Sequence, residues 1–342
     1  IRGDIDEVPA IAAAREQLFV FQQLAYTEVD NPYQPGERAY MVEDFVASFG
    51  ATNRWRQLGR RTTINGQVEP TLHLRPGEVQ RWRFIHAGTS QPIRPKLVRE
   101  SEPLTVVEQH LIALDGITTG RIEPVQEVEL HPGYRADVMI RAGDRPDRYL
   151  LVDEEYEEGD PRRVLARLRV SGRRVDRELP TEEELAPLAP LEPIRDHEGA
   201  GRPEKEARFT VNFNVTPPAP PQFFLNGELF DPNAPPLRVD LGKADQWVLS
   251  SGPELGHPFH IHVNPFQVMT DDGKIVWKDT LFIPPGKEIR IRTRYERYIG
   301  RFVMHCHILD HEDLGMMQQV EIAIPGDAGH GHPEQNVSLR RR

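Results

Sequence analysis

The chain has 342 residues, 38% of them hydrophobic, a formal net charge of −11 and one cysteine. At roughly 150 residues per domain, this length suits about two domains, each able to bury a core without covalent staples. A single cysteine excludes an internal disulfide framework, the acidic balance offers no basic stripe for nucleic acid or an anionic membrane, and no apolar run approaches the ~20 residues of a membrane span.

Helical patterning is scarce. The 31 prolines and 26 glycines punctuate short runs rich in Val, Ile, Leu and Phe, which is the pattern of an all-β sandwich. Such runs fall first at 17–24, 71–74, 79–85, 136–140, 149–152 and 164–170. Residues 172–206 are charged and proline-rich, and read as a linker with a short helix at 181–185. Runs resume at 209–213, 237–241, 245–250, 266–269, 288–293, 301–305 and 318–324. The expected fold is all-β: two β-sandwich domains in tandem, 1–171 and 207–342, with 326–342 a flexible tail. The halves repeat a theme, since Asn65-Gly66 and Asn226-Gly227 each lead from a turn into a strand that ends near a glycine. That repeat suggests one sandwich topology used twice. The acidic stretch 153–160 lacks the alternating ligands of a calcium loop and reads as a solvated turn. His330-Gly331-His332 belongs to the tail, and His73, His86, His110, His131 and His197 read as isolated surface or core histidines.

Chemistry concentrates in two runs, His257-Pro258-Phe259-His260-Ile261-His262 and His305-Cys306-His307-Ile308-Leu309-Asp310-His311, the second followed by Met316. A trigonal His₂Cys site with a weak axial Met is the ligand set of blue copper. Side chains alternate faces along a strand. In an extended 305–307 segment, His305 and His307 therefore project one way and Cys306 the other, toward two separate metal sites joined by a few covalent bonds. His260 and His262 obey the same spacing, and His257 is free to turn toward Cys306. Zinc also accepts Cys and His, although structural zinc sites favour several cysteines. Satisfied core histidines around a buried thiol are the other alternative, and Met316 as gap-filling core is the alternative to Met316 as ligand, with Met317 read as core.

The two runs resemble the third and fourth copper motifs of multicopper oxidases, a family that includes laccases, bilirubin oxidases and spore-coat laccases, and 305–317 is most similar to the bacterial laccase and spore-coat group. The stretches 65–84, Leu114-Asp115-Gly116 and 132–138 look like that family's copper-free middle domain, and Lys278-Asp279-Thr280 resembles a stretch of its third domain. The resemblance implies cupredoxin-like Greek-key domains. It implies a type 1 copper on His257, Cys306 and His311 with Met316 axial, a type 2 copper on His260, and a type 3 pair on His262, His305 and His307. It assigns Glu312 to proton delivery, with Cys306 and His311 carrying electrons, and implies an electron donor such as a phenol, aromatic amine or metal ion, with dioxygen reduced to water. Donors would approach the edge of His311 or His257. Relatives of this kind are usually exported, which implies an extracellular, periplasmic or cell-surface location.

One departure is large. Eight histidines hold the trinuclear cluster of such oxidases, and four come from two His-x-His motifs of a first domain. No such motif precedes residue 260 here. The chain starts at Ile1, and 1–8 looks like the closing strand of that missing N-terminal cupredoxin domain. The expectation is a complete type 1 site and about half of the trinuclear ligands, so that the chain alone does not reduce dioxygen. A blue-copper electron-transfer module and a zinc-stabilised binding module are the competing readings.

Overall fold

The computed structural model describes residues 3–24, 26–31, 33–42, 61–154, 163–188, 191–195, 197–216, 219–270 and 273–326. The acidic residues 155–160 and the tail with His330 and His332 lie outside the described residues.

The β-branched and aromatic runs pair into two sandwiches. In the first, one sheet places Ile117–Val125, Gln109–Leu114, Arg135–Arg141, Val79–His86, Arg15–Leu24 and Arg61–Ile64 side by side. Its facing sheet runs Thr71–Leu74, Arg163–Val170, Asp147–Asp153, Pro95–Arg99 and Glu102–Val107. In the second sandwich the corresponding sheets run Ile275–Lys278, Phe266–Met269, Glu288–Arg294, Ala244–Ser251, Lys205–Asn212 and Gln222–Leu225, and Leu237–Asp240, Met317–Ala323, Gly300–Cys306, His257–Ile261 and Thr280–Ile283. Spatial order and direction agree, including one parallel pair at the same place in each sheet. The edge strands Glu102–Val107 and Thr280–Ile283, however, enter at different points of the chain, the first before and the second after the hairpin at the edge of the facing sheet. A separate hairpin pairs Tyr26–Asp30 with Arg38–Val42.

The repeated Asn-Gly turn is built alike in both sandwiches. Asn65 sits at φ 52° and Asn226 at φ 56°, a left-handed conformation that Asn tolerates. The Asn65 side-chain amide accepts from Val20 N–H and donates to the Leu18 carbonyl. Asn226 makes the same pair of bonds to Arg208 and Glu206. Each asparagine thereby staples its hairpin to the strand that joins the two halves of the sheet. Between the sheets, Phe19, Phe21, Trp82 and Phe84 fill the first core, and Phe209, Phe223, Trp247 and Phe259 fill the second together with Cys306 and Met316.

One expectation changes. Residues 3–8 are not a strand: Asp4–Glu7 form a 3₁₀ turn, and Pro9–Ala12 form a helical turn after it. Asp6 accepts from Gly3 N–H at 2.7 Å and pairs with Arg81 at 2.6 Å, which folds the backbone back on itself. Pro9 is pre-set for the first helical position, and Val8 and Ile11 bury against Val79, Ile112 and Met139 on the outer face of the first sheet. The connection after residue 171 carries a short helix, as its sequence suggests, and is docked on the sandwiches. Thr181 caps the Glu182–Leu185 helix, Leu185 is fully buried in that same cluster, and the Ile194 main chain brackets the Gln267 amide at 2.6 and 3.2 Å.

A polar seam joins the sandwiches. Asp115, in the turn between two strands of the first sheet, accepts from Lys278 Nζ at 3.2 Å, with side chains 0% and 7% exposed. Arg135 forks onto Asp279, and the Tyr134 hydroxyl accepts from Phe282 N–H. His131 stacks on Phe282 with ring centroids 3.8 Å apart. The seam lies directly behind the histidine runs.

Candidate metal centre

His257–Ile261 lies between Gly300–Cys306 and Thr280–Ile283 in one sheet, and the register sets Phe259 opposite Cys306 and His260 opposite His305. Alternation then divides the histidines. His257 and Cys306 turn into the core, whereas His260, His262 and His305 turn to the outer face.

On the core side, Cys306 ends its strand, the short Leu309–Asp313 helix carries His311 back over the thiol, and Gly315 at φ 102° returns the chain to Met316. Cys306 Sγ lies 3.5 Å from His257 Nδ1 and 3.6 Å from His311 Nδ1, and the two nitrogens are 3.2 Å apart. The point equidistant from three atoms so spaced is about 2 Å from each, the length of a metal–nitrogen bond. Ile308 N–H donates to the sulfur at 3.4 Å. Met316 is fully buried beside this trio, its main chain bonded to Cys306 N–H and to the His311 carbonyl. Phe209 stacks on His257 and Phe223 on His311. His257 keeps 1% of its surface and His311 5%, so the edge left to a donor is a sliver on His311. Burial holds His257 at about 3 and His311 well below its ordinary range, and pushes the Cys306 thiol up. Both imidazoles are therefore neutral and ready to donate a lone pair, and a cation in the triangle would offset the cost of a buried thiolate.

On the outer face, one nitrogen from each of His260, His262 and His305 lies within 4.8 Å of the others. His307 stands beside this trio, its ring centroid 5.5 Å from those of His260 and His305. It packs against Gly133 of the first sandwich, where an added Cβ would fall 2.3 Å from the His307 ring. His260 Nδ1 faces the Asp279 carbonyl at 2.7 Å and the Thr280 hydroxyl at 3.0 Å. His305 Nδ1 faces the Cys306 carbonyl at 2.9 Å and Glu312 Oε2 at 3.2 Å. Carbonyl oxygens only accept, so both Nδ1 atoms carry protons and both Nε2 lone pairs are left for a metal. Burial lowers His260 to about 4, against the pull of Asp279, and also lowers His305 and His307. Burial raises the carboxyl of Glu312, against the pull of His307.

The structure thus brings together every candidate of the two runs, in two groups. Sequence reading missed the supporting residues: Phe209 and Phe223 over the core-side rings, Gly133 behind His307, and Asp115, Arg135 and Thr280 behind His260. For Gly133, Asp115, Arg135 and Thr280 the signal was the resemblance of 114–116, 132–138 and 278–280, which carried no assigned role; Phe209 and Phe223 had none beyond apolar strand patterning. His86 and His131 are buried on the first-sandwich side of the seam, outside both groups.

Two profiles described as multicopper oxidase match residues 39–172 and 202–325, together most of the chain. A multicopper oxidase of Staphylococcus aureus is 24% identical over 276 residues, covering 77% of this chain and 52% of that protein. A laccase of Haloferax volcanii is 25% identical over 90% of this chain and 53% of its own length. The chain therefore spans about half the length of the curated relatives it matches. Among solved structures, McoA multicopper oxidase of Aquifex aeolicus superposes with a TM-score of 0.70 at 20% identity, over 93% of this chain and 68% of that one. A multi-copper oxidase of Pediococcus acidilactici superposes at 0.68 with 23% identity, over 93% and 61%. These likenesses identify both sandwiches as cupredoxin-like. Among the described residues, no helix is long and apolar enough to cross a membrane.

Proposed function

The chain belongs to the multicopper oxidase family, and on that premise we propose that it carries the electron-entry site and half of the dioxygen-reducing cluster of a laccase-like oxidase. His257, Cys306 and His311, with Met316 beside them, would hold a type 1 copper. His260, His262, His305 and His307 supply their half of a trinuclear cluster, His260 to a type 2 copper and the other three to a type 3 pair. Copper bound there supplies one-electron redox chemistry, so that four electrons taken singly from a donor, with four protons, convert dioxygen to two waters. The observation that carries this reading is the run His305-Cys306-His307, whose middle side chain serves the core-side group while its neighbours serve the outer one.

Each residue has a defined task. The Cys306 main chain is covalently continuous with His305 and His307, so the path between sites crosses only bonds of one peptide segment. His311 presents the remaining edge to a donor, and Phe223 excludes water from its face. Glu312, whose Oε2 lies 3.2 Å from the protonated His305 Nδ1, sets a carboxyl group beside the outer group where it can pass protons on. The other half of the cluster comes from a further histidine-bearing domain. The donor is a small phenol, aromatic amine or metal ion, and an extracellular, periplasmic or cell-surface location goes with this reading.

Electron paramagnetic resonance of the copper-loaded chain tests the assignment. A type 1 signal that disappears in Cys306→Ser is expected, and dioxygen uptake with a phenolic donor is expected once the complementary domain is supplied. Absence of a type 1 signal would reject the core-side assignment in favour of zinc. A four-copper preparation that consumes no dioxygen would leave an electron-transfer module instead.

A further inference from the structure

We propose that Asp115 and Arg135, both on the first sandwich, are positioning residues for His260 on the second, acting through the peptide between Asp279 and Thr280; the inference rests on reading the outer histidines as metal ligands. Thr280–Ile283 is the edge strand of its sheet, paired only with His257–Ile261. An edge strand has an outward row of donors to satisfy. The first sandwich satisfies them: Asp115 Oδ2 accepts from Asp279 N–H at 3.2 Å and Thr280 N–H at 3.4 Å, and the Tyr134 hydroxyl accepts from Phe282 N–H at 2.6 Å.

The same peptide unit is bonded on its other side. Its N–H points to Asp115, and its carbonyl, that of Asp279, accepts the Nδ1 proton of His260 at 2.7 Å. The second acceptor near that proton, the Thr280 hydroxyl, is itself turned by donating to Asp279 Oδ1 at 2.8 Å. The Asp279 carboxylate is in turn held by both arms of Arg135, whose guanidinium is anchored on the Gly133 and Asp115 carbonyls. Both acceptors that keep the His260 proton on Nδ1, and so the lone pair on Nε2, are thus oriented from the other sandwich. A ligating histidine depends on such a partner for its tautomer and ring angle, and loss of the partner typically weakens metal binding about 10- to 100-fold. The copper-free sandwich is therefore part of the metal site's scaffold. Because Gly133 both backs His307 and holds Arg135, one short segment serves two of the histidines.

The test uses the 342-residue chain with ¹⁵N-labelled histidine, and the variants Arg135→Met, Arg135→Lys and Asp115→Asn, with folding checked by circular dichroism. In the metal-free protein, His260, identified by its loss in His260→Gln, is expected as a single Nδ1–H tautomer. Arg135→Met and Asp115→Asn are expected to give a tautomer mixture and to weaken Cu(II) at the outer group about 10- to 100-fold, with the type 1 signal unchanged. Arg135→Lys, which keeps the charge but not the fork, is expected to fall between, and it carries the test if the other two do not fold. An unchanged His260 tautomer and Cu(II) affinity within about twofold in the folded variants overturns the proposal. Failure of the parent chain to bind Cu(II) at the outer group would instead count against the metal reading, and the tautomer in the metal-free protein would still decide the positioning role.

Discussion

Truncating Asp115 to alanine is expected to cost the metal-free chain about 4–6 kcal/mol, far more than removing its cationic partner. The carboxylate is wholly buried and takes Lys278 Nζ at 3.2 Å, together with the main-chain N–H groups of Arg135, Asp279 and Thr280. Removing one member of a buried pair costs about 3–5 kcal/mol, because the other charge is stranded, and each orphaned N–H adds on the order of 1 kcal/mol with incomplete additivity. Lys278→Met leaves the carboxylate with its three N–H donors and with Arg135 Nη1 at 3.9 Å. It removes the ion pair and a cation–π contact with Tyr134 at 4.0 Å, for about 1–3 kcal/mol. The double variant is then expected to be about 2 kcal/mol more stable than Asp115→Ala alone, since no ammonium is left buried without an anion. Urea unfolding of the four proteins closes the cycle. Equal costs for the two single variants, or a double variant at or beyond their sum, would refute this account of the seam.

Three further outcomes follow from the same geometry. Cys306→Ser should remove one copper per chain and the type 1 signal while leaving Cu(II) binding at the outer histidines in place, as measured by metal analysis and paramagnetic resonance. Gly133→Ala should destabilise the chain by about 1–3 kcal/mol, because alanine at φ +85° is strained and its Cβ meets the His307 ring; a thermal melt gives the cost and Cu(II) titration the effect on the outer group. Burial lowers His86 to about 4 from 6.5, although its bond to the Gln91 carbonyl opposes the shift. A folded-state value below the unfolded one means a contribution that is whole above pH 6.5 and is lost as pH falls through about 4, a loss of about 3 kcal/mol. The pH dependence of the urea midpoint between 7 and 4.5 should accordingly be shallower in His86→Asn, and an identical slope would remove His86 from the account.

Much of the fold was legible because its signals are local. Alternating apolar residues and glycine or proline boundaries marked Thr71–Leu74, Val79–His86, Phe266–Met269 and Glu288–Arg294 closely. Glu102–Val107, Ile117–Val125 and Thr280–Ile283 are not legible in this way, because the first is exposed over most of its length and the other two are buried or half-buried on both faces, so none alternates with a two-residue period. In 3–8, the short-range bonds of Asp6 and the apolar contacts of Val8 and Ile11 favour helical turns over a strand.

By itself the sequence determined which donor atoms are on offer and how they divide, because residue type limits donor atoms and the two-residue period of a strand separates Cys306 from His305 and His307 whatever the surroundings. It also marked the internal repeat, through two Asn-Gly turns that make matching bonds. Tertiary structure decided what depends on residues far apart in the chain: the triangle that closes when His257 meets Cys306 across 49 positions, and the orientation of His260 by Asp115 and Arg135 through Asp279. No periodicity encodes those contacts. They exist because two sandwiches bury a shared polar seam, and buried charges and edge N–H groups must find partners wherever the chain provides them.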